Sequence, residues 1–262
     1  MTEDKTPDDK TQPSRHALAD EQFGSTAAAY VTSTVHASGV DLDHIAERAR
    51  EAKPRHALDL GTGGGHAAYA AAPRATRVTA CDLSPRMLDV VAAEAARRGI
   101  ANIAVEAAPA EALPFADGSF DFLTCRFSVH HWRTAEAGLR EARRVLAAGS
   151  PALFIDVIAP ADPAADTHLQ AVELLRDLSH VRDYSARQWL AMLGSAGFSV
   201  TRMTAARLRM DFAEWTGRMR TSPDRAAAIR ALQSAASSDV AAHFEIEPDG
   251  SFTIDTVLIE AI

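Results

Sequence analysis

Between residues 50 and 160 the chain repeats one pattern: a short apolar run, then a stretch in which apolar positions recur every three or four residues. The runs 57–60, 77–82, 101–106, 120–125 and 152–158 predict strands, and the stretches 67–72, 87–98 and 134–147 predict helices between them. Ser84-Pro85 supplies an N-cap residue followed by proline at the first helical position. Strands alternating with helices of this length predict right-handed βαβ units and a parallel sheet covered on both faces. After Asp156 the rhythm changes: 166–179 predicts a helix, and Ser185 with Gln188 forms a capping box that opens another over 188–196. A strand over 199–209 and a helix started by Ser222-Pro223 follow. The runs 243–246 and 252–259 flank Asp249-Gly250, a turn dipeptide, and predict a terminal hairpin. The fold expected is an open α/β sheet, mostly parallel, with an antiparallel hairpin at its end.

Residues 1–20 are polar and proline-containing, and predict a disordered tail whose ordering entropy no core offsets. The remainder, 21–262, reads as a single domain with its core over 50–160; helical segments 21–49, 160–184 and 211–242 are expected to cover a ligand pocket at the sheet's edge. With 262 residues, 47% of them hydrophobic and 24% charged, the chain has enough apolar material for a full core. The formal charge of −8 argues against binding to nucleic acid or an anionic membrane surface. Two cysteines, Cys81 and Cys125, exclude a disulfide framework, and metal-ligand spacing is absent along the chain, so no metal is expected. The first ten residues carry no apolar stretch of a secretory signal and no run approaches a membrane span, so a cytoplasmic protein is expected.

The strongest chemical signal is Asp59-Leu60-Gly61-Thr62-Gly63-Gly64-Gly65, directly after one predicted strand and before a helix. Glycines there allow positive φ and let the main chain approach a ligand, while the following helix offers its N-terminus. Asp82, ending the second strand, sits where such sheets place the acid that accepts from ribose hydroxyls. A dinucleotide fingerprint would put a third glycine or alanine where this chain has His66, and no Gly-Lys-Ser/Thr follows for a P-loop. The segments Ala57 to Gly65, Asp82-Leu83-Ser84-Pro85-Arg86-Met87-Leu88 and Ala112-Leu113-Pro114-Phe115-Ala116-Asp117-Gly118-Ser119-Phe120-Asp121 resemble class I S-adenosylmethionine-dependent methyltransferases, most closely those of quinone biosynthesis. The resemblance covers residues 50–160 and implies a Rossmann-like seven-stranded sheet.

The resemblance implies that Gly61, Gly63 and Gly65 line the methionine and ribose part of S-adenosylmethionine, and of the product S-adenosylhomocysteine. It implies that Asp59 organises the loop and the cofactor's amino group, Asp82 holds the ribose, and Leu83 and Met87 pack on the adenine. Where the family has an aspartate for the adenine amino group this chain has Pro109, so adenine recognition falls to the segment around Ala110 and Glu111. A ligand with a sulfonium and an ammonium suits a site lined by acids. Arg126, at the end of the fourth strand, is placed to pair with a ligand carboxylate or to brace its loop.

Candidates for proton transfer are His130 and its neighbour His131, just beyond the fourth strand, and the cluster Asp177, His180 and Arg182. Asp177 and His180 are spaced to share one face of a helix. Tyr30 and His36 are further contacts from the amino-terminal cover. The expected activity is methyl transfer to a small, apolar or aromatic acceptor, at carbon or oxygen. Two other readings stay open at this point: a nicotinamide-dependent oxidoreductase, and a cofactor-binding protein without turnover.

Overall fold

The structure is a computed structural model that describes residues 39–262. The tail 1–20, the cover residues 21–38, and with them Tyr30 and His36, lie outside the described residues.

Helix α1 (Val40–Ala52) leads into β1 (His56–Leu60), whose last four residues are all buried, as a strand covered on both faces requires. There follow α2 (His66–Ala71), β2 (Arg77–Asp82), α3 (Pro85–Arg97), β3 (Ile103–Ala107), β4 (Phe122–Arg126), α4 (Ala135–Val145) and β5 (Ala152–Ala159). The sheet order β3-β2-β1-β4-β5 is parallel throughout and reverses direction of growth after β1. That reversal opens a crevice between the carboxyl ends of β1 and β4. Helix α4 buries Ala135, Gly138, Leu139, Ala142 and Val145, one stripe at helical spacing, against the sheet.

The second half adds α5 (Pro163–Arg176), a two-residue β6 (Tyr184–Ser185) beside β5, α6 (Ala186–Ala196), β7 (Val200–Met210), α7 (Phe212–Arg218), α8 (Pro223–Ser234), α9 (Ser238–His243) and β8 (Phe252–Ala261). Strand β8 inserts antiparallel between β5 and β7, completing a seven-stranded path. The Ser185/Gln188 capping box is present at the start of α6. Helices α5, α7, α8 and α9 share a core of Leu169, Val172, Trp215, Ile229, Val240 and Phe244 that joins Val157 and Ala159 of β5 at the carboxyl end of the sheet.

Three local expectations are corrected. The antiparallel partner of β8 is β7, in register from Val200 opposite Ala261 to Met210 opposite Phe252, and not 243–246. Residues 244–246 turn out of α9, with Glu245 at φ 49, while Asp249-Gly250 forms only the tight turn that brings the Glu247 amide to the Ser251 carbonyl at 2.8 Å. The helix predicted through Ser179 ends at Arg176 because Asp177 is extended and its carboxylate accepts the Ser179 amide at 2.8 Å. Ser84 does hold the N-cap position of α3, but its hydroxyl makes no capping bond; its amide donates instead to Asp82 Oδ1 at 3.0 Å.

Candidate active site

The glycine loop is held by its neighbours before any ligand is considered. The Gly61 and Thr62 amides donate to the Cys81 carbonyl at 2.8 and 2.9 Å, tying the end of β1 to the end of β2. Gly61, Gly63 and Gly65 have φ of 68, 49 and 82. A Cβ on Gly61 would stand 1.9 Å from Ser128 Oγ, and one on Gly65 2.7 Å from the Tyr69 ring, so glycine is required twice over at both.

Two carboxylates frame this loop. Asp82 Oδ2 accepts the Gly63 amide at 2.9 Å and Oδ1 accepts the Ser84 amide, so its half-buried carboxylate is oriented by main chain on both sides. Asp59 lies deeper: Oδ2 accepts from Thr62 Oγ1 at 2.6 Å and the Ala68 amide at 3.0 Å, and Oδ1 accepts from Thr124 Oγ1 at 3.0 Å. Burial pushes the Asp59 carboxyl up to about 6, against the downward pull of its hydrogen bonds from Thr62 and Thr124.

The cleft above these groups has an open volume of about 980 Å³. Its floor is Asp59 to Gly64 with His66 and Ala67; one wall is Asp82, Leu83 and 108–111, and the other is 126–128 with 131–133. Arg126 Nε donates to Asp41 Oδ2 of α1 at 2.5 Å, and its guanidinium lies over the Phe127 ring, so α1 is tied to the wall at the end of β4. Trp132 Nε1 donates to Ser128 Oγ at 3.0 Å, and its ring fills the space that the absent Cβ of Gly138 leaves on α4.

Behind the β4 wall lies a buried polar cluster. His130 Nδ1 meets Asp156 Oδ1 at 2.5 Å; burial alone would lower this imidazole, but the Asp156 carboxylate outweighs it and lifts His130 to about 9. His131, on the cleft wall, is driven well below its ordinary value by burial and by the neighbouring His130. Its Nδ1 lies 3.2 Å from Ser179 Oγ, which donates to Asp177 Oδ1 at 2.7 Å. His131 Nε2 stands 4.0 Å from the buried Asp177 Oδ2, so both ring nitrogens lie beside the Asp177–Ser179 pair. His180 is dropped to about 4 by burial and bonds Gln170 Oε1 at 3.0 Å. Arg182 pairs with Asp166 at 2.6 Å, on the outer side of the cluster.

The fold and this cleft are matched by known proteins. The methyltransferase-domain family matches residues 58–154. YafE of Escherichia coli K12 is 41% identical over 197 residues, 75% of this chain and 95% of YafE. The methyltransferase YcgJ of Bacillus subtilis is 31% identical over 92% of this chain and 97% of its own length. The YcgJ crystal structure superposes with a TM-score of 0.80, covering 85% of this chain and 97% of that one. The chain is a class I S-adenosylmethionine-dependent methyltransferase. A demethylmenaquinone methyltransferase of Deinococcus radiodurans is a more distant relative, 32% identical over 62% of this chain and 69% of its own. The nicotinamide-dependent reading is thereby overturned, as the histidine at position 66 foreshadowed.

In this methyltransferase the residues present fit the family's cofactor. Asp82 is pre-oriented at the carboxyl end of β2, and the loop from Gly61 to Gly64 exposes main chain to the cleft without a Cβ to obstruct it. Of the residues expected to bind the cofactor, Asp59, Gly61, Gly63, Asp82, Leu83, Ala110, Glu111 and Arg126 line the cleft. Gly65 and Met87 do not: Gly65 turns the chain into α2 against Tyr69, and Met87 is buried beneath the loop, its Cε 3.9 Å from where a Gly63 Cβ would stand. Glu111 Oε1 also accepts the Thr134 amide at 3.1 Å, bracing the wall opposite Asp82.

The catalytic candidates of the sequence fare differently. None of His130, Asp177, His180 and Arg182 is on the cleft wall; His131 is. Asp177 and His180 sit in a turn rather than on one helix face, and Asp177 reaches the wall through Ser179. His131 carried the same sequence signal as His130. Only the short 3₁₀ turn at 129–131 decides which of the two rings faces the cleft. Phe127, Ser128 and Trp132, in the same segment after the fourth strand, also line the cleft, where Phe127 takes a left-handed φ of 50.

Proposed function

We propose that this methyltransferase methylates a small, apolar or aromatic acceptor at carbon or oxygen. The observation that carries the reading is the wall at the end of β4: Phe127, Ser128, His131 and Trp132 face, across one cleft, the loop and the Asp82 carboxylate. When bound, S-adenosylmethionine supplies an electrophilic methyl group that an acceptor takes by in-line displacement. What remains for the chain is to position the partners, exclude water and, where the acceptor is acidic, receive a proton.

Asp82 and the Gly63 main chain orient the ribose, Asp59 and the loop orient the amino-acid end, and Leu83, Ala110 and Glu111 flank the base. Of the imidazoles in the polar cluster, His131 is the one on the cleft wall, and its ring takes the proton of an acidic acceptor. Asp177, through Ser179, holds that ring, and His130, His180 and Arg182 secure the loops behind it. Helices α5 and α7 to α9, gathered at the carboxyl end of β5, shape the acceptor side. The net charge of −8 supports a small molecule rather than a nucleic acid as substrate. Among the described residues no helix is long and apolar enough to cross a membrane, and a cytoplasmic location is part of this proposal.

The test is a titration of the purified protein with S-adenosylmethionine and S-adenosylhomocysteine, followed by incubation with methyl-labelled cofactor and a panel of phenols, quinones and amines. Saturable binding with label transferred to a phenol or quinone supports the proposal. Label moving only to amines, or binding without transfer to any member of the panel, overturns it.

A further inference from the structure

The polar cluster behind the β4 wall crowds four buried carboxylates around Arg176 and the His130–Asp156 pair. The carboxylates of Asp156, Glu173, Asp177 and Asp183 are all buried, and Arg176, paired with Glu173 at 2.8 Å, is the guanidinium set among them. A buried carboxylate needs a countercharge or a proton. Asp183 is 1% exposed and its Oδ2 has no hydrogen-bond partner, a buried carboxylate oxygen open to a proton or an ion.

That orphan oxygen points to a site. Donor atoms of His130, Asp156 and Asp183 all lie within 4.8 Å of one another, and His180 Nε2 stands 3.8 Å from Asp183 Oδ2. A tetrahedral zinc ion holds nitrogen and oxygen ligands at about 2.1 Å, which sets them about 3.4 Å apart, so modest side-chain adjustment closes the set. The ligands also have the support that metal sites show around them. Val129 and Val157 donate their amides to the Asp156 carboxylate at 3.0 and 2.9 Å, and the carbonyl of His130 accepts from Val181 and Arg182.

We propose that His130, Asp156 and Asp183, with His180 as the fourth donor, form a binding site for one divalent first-row metal ion of the zinc type. Two carboxylates and two imidazoles without a thiolate suit such an ion, and its charge balances Asp156 and Asp183. The ion takes the place of the proton between His130 Nδ1 and Asp156 Oδ1, which leaves to solvent, and His180 gives up its Nε2 bond to Gln170 Oε1, the ring proton passing to the unpartnered Nδ1. The site clamps three segments together: the turn after β4, the middle of β5 and the loop after α5. Ser128 and His131 of the cleft wall flank His130, so the ion acts as a brace for the acceptor side and touches neither cofactor nor acceptor. No reading along the chain finds this set, because its ligands come from three separate segments.

The experiment uses the full chain without an affinity tag, stripped with a chelator and titrated with zinc chloride by calorimetry and with cobalt chloride by visible absorption. One equivalent of zinc, a cobalt complex with tetrahedral ligand-field bands, and a raised melting temperature on zinc addition are expected. Asp183→Asn should weaken zinc binding at least about tenfold and abolish the melting shift. Its far-UV spectrum and S-adenosylhomocysteine affinity should stay those of the parent. If that variant does not fold, His130→Gln is read the same way. A folded parent that takes up no stoichiometric zinc overturns the proposal and leaves the cluster to protons alone. Equal zinc affinity in parent and folded variant also overturns it, since the ion then binds elsewhere.

Discussion

The carboxylate of Asp82 closes on the main chain of Gly63, Oδ2 accepting that amide at 2.9 Å, so the acid proposed to bind the ribose and the glycine loop are one unit. Replacing Asp82 with alanine removes both the proposed acceptor for the sugar hydroxyls and a tie on the loop. Two charge-assisted hydrogen bonds at about 1.5 kcal/mol each amount to about a hundredfold in affinity. Asp82→Ala should therefore raise the dissociation constant for S-adenosylhomocysteine by about that factor, measured by calorimetry, and Asp82→Asn by less. An unchanged constant in Asp82→Ala would remove Asp82 from the site.

Gly61 and Gly63 differ in what a side chain would meet, and this separates backbone strain from steric conflict. At Gly63 the nearest atom to a built Cβ is Met87 Cε at 3.9 Å, so Gly63→Ala should cost only the strain of its positive φ, about 1 kcal/mol. At Gly61 the Cβ would overlap Ser128 Oγ at 1.9 Å and Ser128 Cβ at 2.6 Å. Gly61→Ala should then lose a further 1 to 3 kcal/mol, roughly, in urea denaturation. Ser128→Gly in the same chain should restore most of that excess. Additive losses in the double variant would show that the two residues do not compete for the same space.

The loop and the parallel half of the sheet were legible because each step there is written locally. An apolar run reads as a strand, Ser84-Pro85 as a helix start, and Gly61, Gly63 and Gly65 as a main chain that turns with positive φ. The capping box of α6 was legible for the same reason. Other features depend on contacts between distant segments. Strand β8 pairs with Val200–Met210 across three intervening helices, and the local turn at Asp249-Gly250 pointed to the wrong partner. Asp177 and His180 suggested a shared helix face, whereas the Asp177 carboxylate captures the Ser179 amide and ends the helical course. His131 shares its sequence context with His130, and the 3₁₀ turn at 129–131, with Asp156 packed against His130, separates their roles.

Pro109 lies in the wall beside Asp82 and Leu83, at the position where the resembled family carries an aspartate toward the adenine amino group. Its ring offers no acceptor there, so in the proposed site the base is left to main-chain groups or to Glu111. Pro109→Asp should supply one charge-assisted acceptor worth about 1 to 2 kcal/mol, tightening S-adenosylhomocysteine about tenfold. The inosine analogue, which lacks the amino group, should gain nothing. Equal tightening of both ligands would assign the effect to net charge rather than to recognition of the base.

Asp59 gives the site a pH dependence whose sign differs between the empty and the loaded protein. Burial holds its folded value at about 6, above the unfolded value near 3.9. In the empty protein the group accordingly favours the fold most at low pH, and that contribution is lost as pH rises through about 6. A ligand ammonium near Asp59 prefers the carboxylate, so binding should draw Asp59 toward ionisation and release a proton below pH 6. Affinity for S-adenosylhomocysteine should stay level near pH 7 and fall progressively below about pH 6, approaching tenfold per pH unit. Methylthioadenosine keeps the sugar and base but has no ammonium, and its affinity should not follow that fall. Calorimetric titrations of both ligands between pH 5 and pH 7 provide the comparison, and parallel pH profiles for the two would place the ammonium away from Asp59.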